Sequence, residues 1–173
     1  MSAMAQGMLF LLPEIIEAKG FPIWYINGGA LVWYVIGAAT GMIPAGYIAD
    51  KLGRRAVLSA SIASSVAIYY CFILFDNMSI PILIILMITL GACMNIANPI
   101  GIALRQILFP EKSSLVSGVL MGLAWALGSI SLWVVGLMTS RLNLPLTTAL
   151  SILGITGITA LACSFFLESL EKE

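Results

Sequence analysis

The chain has 173 residues, of which 61% are hydrophobic and only 9% are charged, and its mean hydropathy is +1.07. A soluble domain carries about a quarter charged residues, so this composition excludes a protein that is surrounded by water on all sides. Basic and acidic residues balance at eight of each, so the net charge points to no nucleic-acid or acidic partner.

The residue types also exclude most active-site chemistry. Histidine is absent, which removes the commonest metal ligand and the commonest general base. The three cysteines, Cys71, Cys93 and Cys163, stand singly in apolar runs without metal-ligand spacing. The sequence has no HExxH or GxSxG motif and no paired carboxylates within an apolar run. We therefore expect no metal, no cofactor and no enzymatic activity.

The first apolar segment, residues 1–12, is short, and Pro13, Glu14 and Glu17 follow it at once. Twelve helical residues reach only about 18 Å, well below the roughly 30 Å of hydrocarbon in a bilayer. We interpret the segment as the second half of a membrane span whose first half is missing. The alternative is an interfacial helix that never crosses the membrane.

Five later segments are each long and apolar enough to cross a bilayer. They are expected to be helices, because an open sheet cannot satisfy its backbone hydrogen bonds in lipid. Charged residues separate them from one another. The predicted spans are residues 26–48, 56–75, 80–104, 115–138 and 146–167.

The connection between the first two of these spans is the most informative stretch of the chain. Residues 46–55 read Gly-Tyr-Ile-Ala-Asp-Lys-Leu-Gly-Arg-Arg. We interpret them as a charged turn at a membrane surface, in which Gly53 supplies the backbone freedom of a tight turn. Cytoplasmic loops collect Lys and Arg, so Lys51, Arg54 and Arg55 predict that this surface is cytoplasmic.

Alternating the spans from that loop gives one consistent orientation. Only Lys19 and Arg141 then lie outside, and the C-terminus is cytoplasmic. Six basic residues lie inside: Lys51, Arg54, Arg55, Arg105, Lys112 and Lys172. Six against two is a clear bias toward this topology.

A short internal sequence repeat predicts two related halves within the chain. Residues 46–52 resemble residues 136–142, since each stretch ends a glycine-rich span and places a small residue and then a basic one at matching positions. The predicted topology places the two stretches on opposite membrane faces. An inverted repeat of three spans plus three produces that arrangement. We expect one three-helix repeat in residues 1–79 and a second in residues 80–173.

The same charged connection carries a family resemblance. It matches the pattern G-x-x-x-D-[RK]-x-G-[RK]-[RK] of the major facilitator superfamily at Gly46, Asp50, Lys51, Gly53, Arg54 and Arg55. In that family the motif joins the second and third helices of each six-helix half. Residues 97–110 and 117–128 resemble the tenth and eleventh helices of the fosmidomycin-resistance branch of drug exporters. The resemblance maps nearly the whole chain onto the C-terminal half of such a transporter.

This resemblance implies an all-α membrane protein with five complete transmembrane helices plus a truncated first one. Together they would form half of a twelve-helix major facilitator fold with 3+3 inverted repeats. The implied function is transport of a small molecule by alternating access, as efflux of a drug-like or small anionic compound across the cell inner membrane, with a role in antibiotic resistance. An N-terminal half is expected in addition: either the chain is a fragment of such a transporter, or it pairs with another polypeptide that supplies this half. The alternative is a non-transporting fragment or an accessory membrane protein that retains only the half-transporter fold.

Polar side chains inside the third complete span are the first candidates for a substrate cavity. An unpaired amide is costly deep in an apolar stretch, so Asn95 and Asn98 must face protein or a water-filled cavity. The resemblance adds that the seventh and tenth helices line the central cavity, which would include Gln6. Trp125 lies deep enough to touch a ligand, with apolar filling as its alternative. Five residues recur at helical spacing on one face: Gly91, Asn95, Asn98, Ile102 and Arg105.

Interhelical hydrogen bonding is the alternative role for these amides. For the loop motif, the expected role is a conformational latch in which Asp50 bonds a helix N-terminus or pairs with Arg54 or Arg55. Its alternative is a simple topology anchor. Small residues on the fourth complete span predict close helix packing at Gly118, Gly122 and Gly128.

Proton coupling is left open by the resemblance. It would need a protonatable group near the transport pathway. No carboxylate lies in the middle of a complete predicted span, because Glu14, Glu17 and Asp50 lie at the ends of apolar segments. A coupling acid is therefore expected on the missing half.

Overall fold

The computed structural model describes residues 2–75, 78–108 and 113–169, with side chains described for residues 3–75, 78–101 and 114–164. These residues form an all-helical fold. Five helices are long and apolar enough to cross a membrane, and they end within four residues of the predicted spans. The helices are α1 Ser2–Ala18, α2 Ala30–Leu52, α3 Arg54–Leu74, α4 Ile80–Leu108, α5 Ser113–Arg141 and α6 Leu146–Ser169.

Helix α1 is longer than the sequence predicted, because it continues through Pro13 to Ala18. A proline removes one backbone hydrogen bond, and neighbouring helices make that loss tolerable in a membrane protein. One face of α1 is fully buried against the other helices: Met4, Met8, Leu12, Ile15 and Ile16 are at most 1% exposed. This burial places α1 within the helix bundle.

The predicted charged turn over residues 46–55 is wrong in its extent. Helix α2 continues to Leu52 and α3 begins at Arg54, so the turn is the single residue Gly53 with φ +91°. Glycine adopts this left-handed backbone without steric cost, which lets two helices meet at one residue. Asp50 and Lys51 consequently lie in the last turn of α2.

A second irregularity precedes α2. Residues Tyr25–Gly29 form a π-type turn at a kink, where Asn27 and Gly28 leave the helical backbone conformation and Gly28 has φ +125°. The Trp24 ring packs edge-on against the Tyr25 ring, with centroids 5.2 Å apart. A π-helical turn bends the helix that carries it. The sequence reading missed this bend, although the pair Gly28-Gly29 at the start of a span is a signal for one.

The set of helix–helix contacts is preserved when α1, α2 and α3 are exchanged with α4, α5 and α6, respectively. Helix α2 packs along α4 as α5 packs along α1, and α3 contacts α4 as α6 contacts α1. Helices α3 and α6 contact each other, which the exchange leaves unchanged. The outside of the bundle is covered by large apolar side chains such as Ile43, Ile85 and Leu127. Such a surface suits lipid as the surrounding solvent.

Helices α2 and α4 cross each other closely. A Cβ atom added at Gly37 would collide with the carbonyl oxygen of Ile88, and one added at Gly91 would collide with the carbonyl oxygen of Tyr34. At Gly41 the added atom would lie 2.6 Å from the nearest side chain. The two backbones can meet here only because neither helix carries a side chain at these positions.

Candidate functional site

A cavity of about 320 Å³ lies between α1, α2, α4 and α5. Each of the four helices contributes three residues to its lining. They are Ala5, Gln6, Leu9, Tyr34, Val35, Ala38, Asn95, Ala97, Asn98, Met121, Ala124 and Trp125. The lining includes the four residues predicted from the sequence to line a substrate cavity, which lie on three different helices. They are Gln6, Asn95, Asn98 and Trp125.

The wall made by α2 and α4 carries a chain of hydrogen bonds. Asn98 Nδ2 donates to Asn95 Oδ1 at 3.4 Å, and Asn95 Nδ2 donates to the Tyr34 hydroxyl at 3.4 Å and to the Gly91 carbonyl at 2.9 Å. The Tyr34 hydroxyl contacts Met94 Sδ at 3.6 Å. Tyr34 is 5% exposed, whereas Asn98 is exposed at the cavity surface. Polar groups therefore run from the cavity into the α2–α4 interface.

On the opposite wall, made by α1 and α5, the amide of Gln6 forms hydrogen bonds between the two helices. Gln6 Nε2 donates to the Trp125 carbonyl at 3.2 Å, and Ser129 Oγ donates to Gln6 Oε1 at 3.3 Å. Gln6 is 5% exposed, and its side chain packs against Gly128. The amide of Gln6 thus links α1 to α5, which is the interhelical role that the sequence held as its alternative.

Trp125 gives this wall an apolar aromatic surface. Its side chain is 55% exposed, while its backbone carbonyl accepts hydrogen bonds from Gln6 and Ser129. Trp133, on the same helix, is 66% exposed but does not line the cavity. None of the twelve lining residues carries a formal charge at neutral pH.

At the α2–α3 turn the loop motif is a surface cluster. Arg54 Nη2 lies 3.4 Å from Asp50 Oδ1, and the ammonium of Lys51 lies 4.4 Å from the centroid of the Tyr47 ring. Asp50 therefore pairs with Arg54, which is one of the partners predicted for it. Its side chain is 69% exposed, so this i,i+4 pair contributes little stability by itself.

The profile of the Major Facilitator Superfamily matches residues 1–173, the whole chain. The chain belongs to this superfamily. Its five long apolar helices are thus membrane spans of a transporter family, with lipid around them. Neither a curated protein nor a solved structure matches the chain. The finer resemblance to the fosmidomycin-resistance branch accordingly finds no support in these comparisons.

The glycines predicted to pack in this major facilitator chain divide into two groups. Gly128 packs against the Gln6 side chain, where an added Cβ would lie 2.5 Å from Gln6 Cδ. At Gly118 and Gly122, and also at Gly46 of the loop motif, an added Cβ would meet nothing within 4 Å among the described residues. Within the part of the chain that the structure describes, these three glycines therefore approach no other helix.

Two contacts escaped the sequence reading. Tyr34 and Asn95 are hydrogen-bonded across the α2–α4 interface. The sequence contained a signal for this contact, because a tyrosine hydroxyl that is buried inside an apolar span needs a hydrogen-bond partner. Lys19 Nζ donates to the carbonyls of Ile73 at 3.2 Å and Phe75 at 2.9 Å, and so caps the end of α3. The side chains of Ile102 and Arg105, which the sequence placed on the cavity face, lie outside the described side chains.

Proposed function

We propose that this major facilitator chain moves a small molecule across the cell inner membrane by alternating access, and that the cavity is its share of the substrate site. The supporting observation is the convergence of Asn95, Asn98, Gln6 and Trp125 on one cavity between membrane-spanning helices. Polar groups within a membrane span are expensive, so a cluster of them around a cavity favours a transport pathway.

We infer that a second six-helix unit, the N-terminal half of such a transporter, completes the site. Alternating access needs two bodies that rock around a shared binding site. In this chain Trp125 is 55% exposed, and Gly118 and Gly122 on the same helix are open to a neighbour. The partner would cover this face of α5, and the Asp50–Arg54 cluster would latch one conformation against it.

The internal symmetry of packing supports two three-helix repeats within the chain, residues 1–79 and 80–173. Exchange of the two sets of helices converts each major interhelical contact into another one, except the α3–α6 contact, which it leaves unchanged. Inverted repeats of this kind place the substrate site at their interface. The position of the cavity supports this proposal, because α1 and α2 belong to one proposed repeat and α4 and α5 to the other.

We further propose efflux of a drug-like or small anionic compound, with the C-terminus in the cytoplasm. The orientation rests on the excess of Lys and Arg on one side of the spans. Any proton coupling would depend on an acid of the partner half, since the described spans place Asp50 only at the end of α2.

Labelling from each side of the membrane tests alternating access. The three native cysteines are replaced by alanine, and Asn98→Cys is introduced on the cavity face. Right-side-out and inside-out vesicles from native membranes are then treated with an impermeant maleimide. We expect labelling in both preparations, because a substrate site must open to each side in turn.

The matched control is Ile85→Cys, on the same helix but on its outer surface, which should stay unlabelled in both preparations. Labelling of Asn98→Cys from one side only, or from neither, would contradict alternating access. That result would favour the non-transporting accessory protein that the sequence held as its alternative.

A further inference from the structure

We propose that the chain's part of the cavity binds an uncharged, planar aromatic compound with a hydrogen-bonding edge such as a carboxamide or lactam. This inference rests on the proposed function, because it names the substrate class of the same site. Three features of the lining support this inference: its lack of charged residues, its aromatic surface and the hydrogen-bonding groups of Asn98 that remain without a partner among the described residues.

The lining disfavours ions. All twelve residues are neutral, and the remaining surface is made by alanines and larger apolar side chains. An ion moved from water into such a cavity loses its hydration and meets no opposite charge on these walls, which is costly. Of the two substrate classes proposed above, the lining therefore favours the drug-like compound over the small anion.

The aromatic surface favours a flat ring. The side chain of Trp125 is 55% exposed, and its backbone is held by bonds from Gln6 and Ser129. An exposed indole offers a planar apolar face on which another ring can stack or pack edge-on. The volume of about 320 Å³ suits a small molecule of one or two fused rings.

The hydrogen-bonding edge proposed for the ligand follows from which amide side chains of the lining already have hydrogen-bond partners. Gln6 uses its amide within the α1–α5 wall, and Asn95 donates to Tyr34 and Gly91 while it accepts from Asn98. Asn98 donates one N–H to Asn95, and among the described residues nothing bonds to its carbonyl oxygen. Asn98 thus keeps an N–H and a carbonyl for a ligand. A neutral amide edge supplies the matching acceptor and donor.

Three probes with one ring system test this inference: naphthamide, naphthoate and methylnaphthalene. Their binding to the purified chain in lipid nanodiscs is measured by equilibrium dialysis at neutral pH, with empty nanodiscs to correct for partitioning. We expect naphthamide to bind at least about tenfold tighter than naphthoate, because only the neutral amide pairs with Asn98 without a buried charge.

Two variants locate the bound probe. Asn98→Leu should weaken naphthamide about tenfold and leave methylnaphthalene unchanged, because it removes only the polar edge. Trp125→Ala should weaken both probes about tenfold, because it removes the aromatic surface. Trp133→Ala is the matched control on the same helix and should alter neither affinity.

The outcomes separate this inference from the proposed function. Naphthoate binding as tight as naphthamide, with both lost in Trp125→Ala, would overturn the substrate class while leaving the cavity as the binding site. Absence of binding by all three probes, or binding that neither variant changes, would also overturn the inference. The labelling of Asn98→Cys from each side would then decide alternating access separately.

Discussion

Two glycine pairs of identical spacing have opposite surroundings in this chain. Gly37 and Gly41 on α2 are buried, and a Cβ atom added at either would collide with α4. Gly118 and Gly122 on α5 are exposed, and an added Cβ there would meet no described atom within 4 Å. The sequence reading chose the second pair for close packing and overlooked the first.

The difference lies in what faces each pair. Lipid tails are as apolar as leucine, so helices in a membrane associate through close packing and hydrogen bonds rather than through hydrophobic burial. On α4, Gly91 faces the α2 backbone, so both helices lack a side chain at the crossing. A glycine pair therefore permits close approach, but its partner decides whether approach occurs. The open pair on α5 is consistent with a face for the proposed partner half.

The largest expected effect is at Gly37. Gly37→Val should lower the free energy of unfolding by about 3 kcal/mol, because the added atoms would collide with the backbone of Ile88, which cannot move aside as a side chain can. Reversible unfolding in mixed micelles, followed by circular dichroism, measures the change. A value within error of the unsubstituted chain would show that α2 and α4 do not cross this closely.

A smaller loss is expected where the α1–α5 wall is held by a side chain. Gly128→Val should cost about 2 kcal/mol, because it displaces the buried Gln6 amide from its bonds to Trp125 and Ser129. The same unfolding assay applies. Adding Gln6→Ala should recover part of the loss, since it removes the clash, and strictly additive costs would refute this cause.

The hydrogen bonds of the α2–α4 wall should contribute less than the packing. Asn95→Leu removes the interhelical bond to Tyr34 together with the bond to Gly91 within α4, and an interhelical hydrogen bond in a membrane is worth about 0.6 kcal/mol on average. We expect a loss of that order in unfolding free energy. A cost as large as that of Gly37→Val would mean that polar pairing, and not backbone contact, holds the two helices together.

The smallest effect is expected at the open pair. Gly118→Val and Gly122→Val should each change the unfolding free energy of the isolated chain by less than about 0.5 kcal/mol, because the added side chains meet no described atom. If a partner half covers α5, the same variants should weaken its co-purification from native membranes. Strong destabilisation of the isolated chain would mean that the face of α5 carrying Gly118 and Gly122 packs against a helix of this chain.

Much of the fold could be predicted because the membrane imposes a length on each helix. The predicted third complete span, 80–104, begins at the same residue as α4, Ile80–Leu108, since apolar length and flanking charge define both. The error at residues 46–55 has the opposite origin. Charge marks the membrane surface, but a helix can continue into that surface until a residue such as Gly53 ends it.

The candidate cavity was predictable in part. Helical spacing placed Asn95 and Asn98 on one face of α4, and the structure places both at the cavity. Tyr34 and the crossing at Gly37 depend on which helix lies opposite, and spacing along one helix carries no such information. The roles of Asn95, Asn98, Gln6 and Trp125 in binding a substrate stay predictions.

The most direct measurement asks whether the cavity holds water inside the membrane. Two single-tryptophan variants, one retaining Trp125 and one retaining Trp133, are compared in vesicles by fluorescence quenching. We expect aqueous acrylamide to quench Trp125 strongly and brominated lipid to quench it weakly, with the reverse for Trp133. Strong quenching of Trp125 by brominated lipid, with no quenching by acrylamide, would show that this surface faces lipid and would contradict a transport cavity.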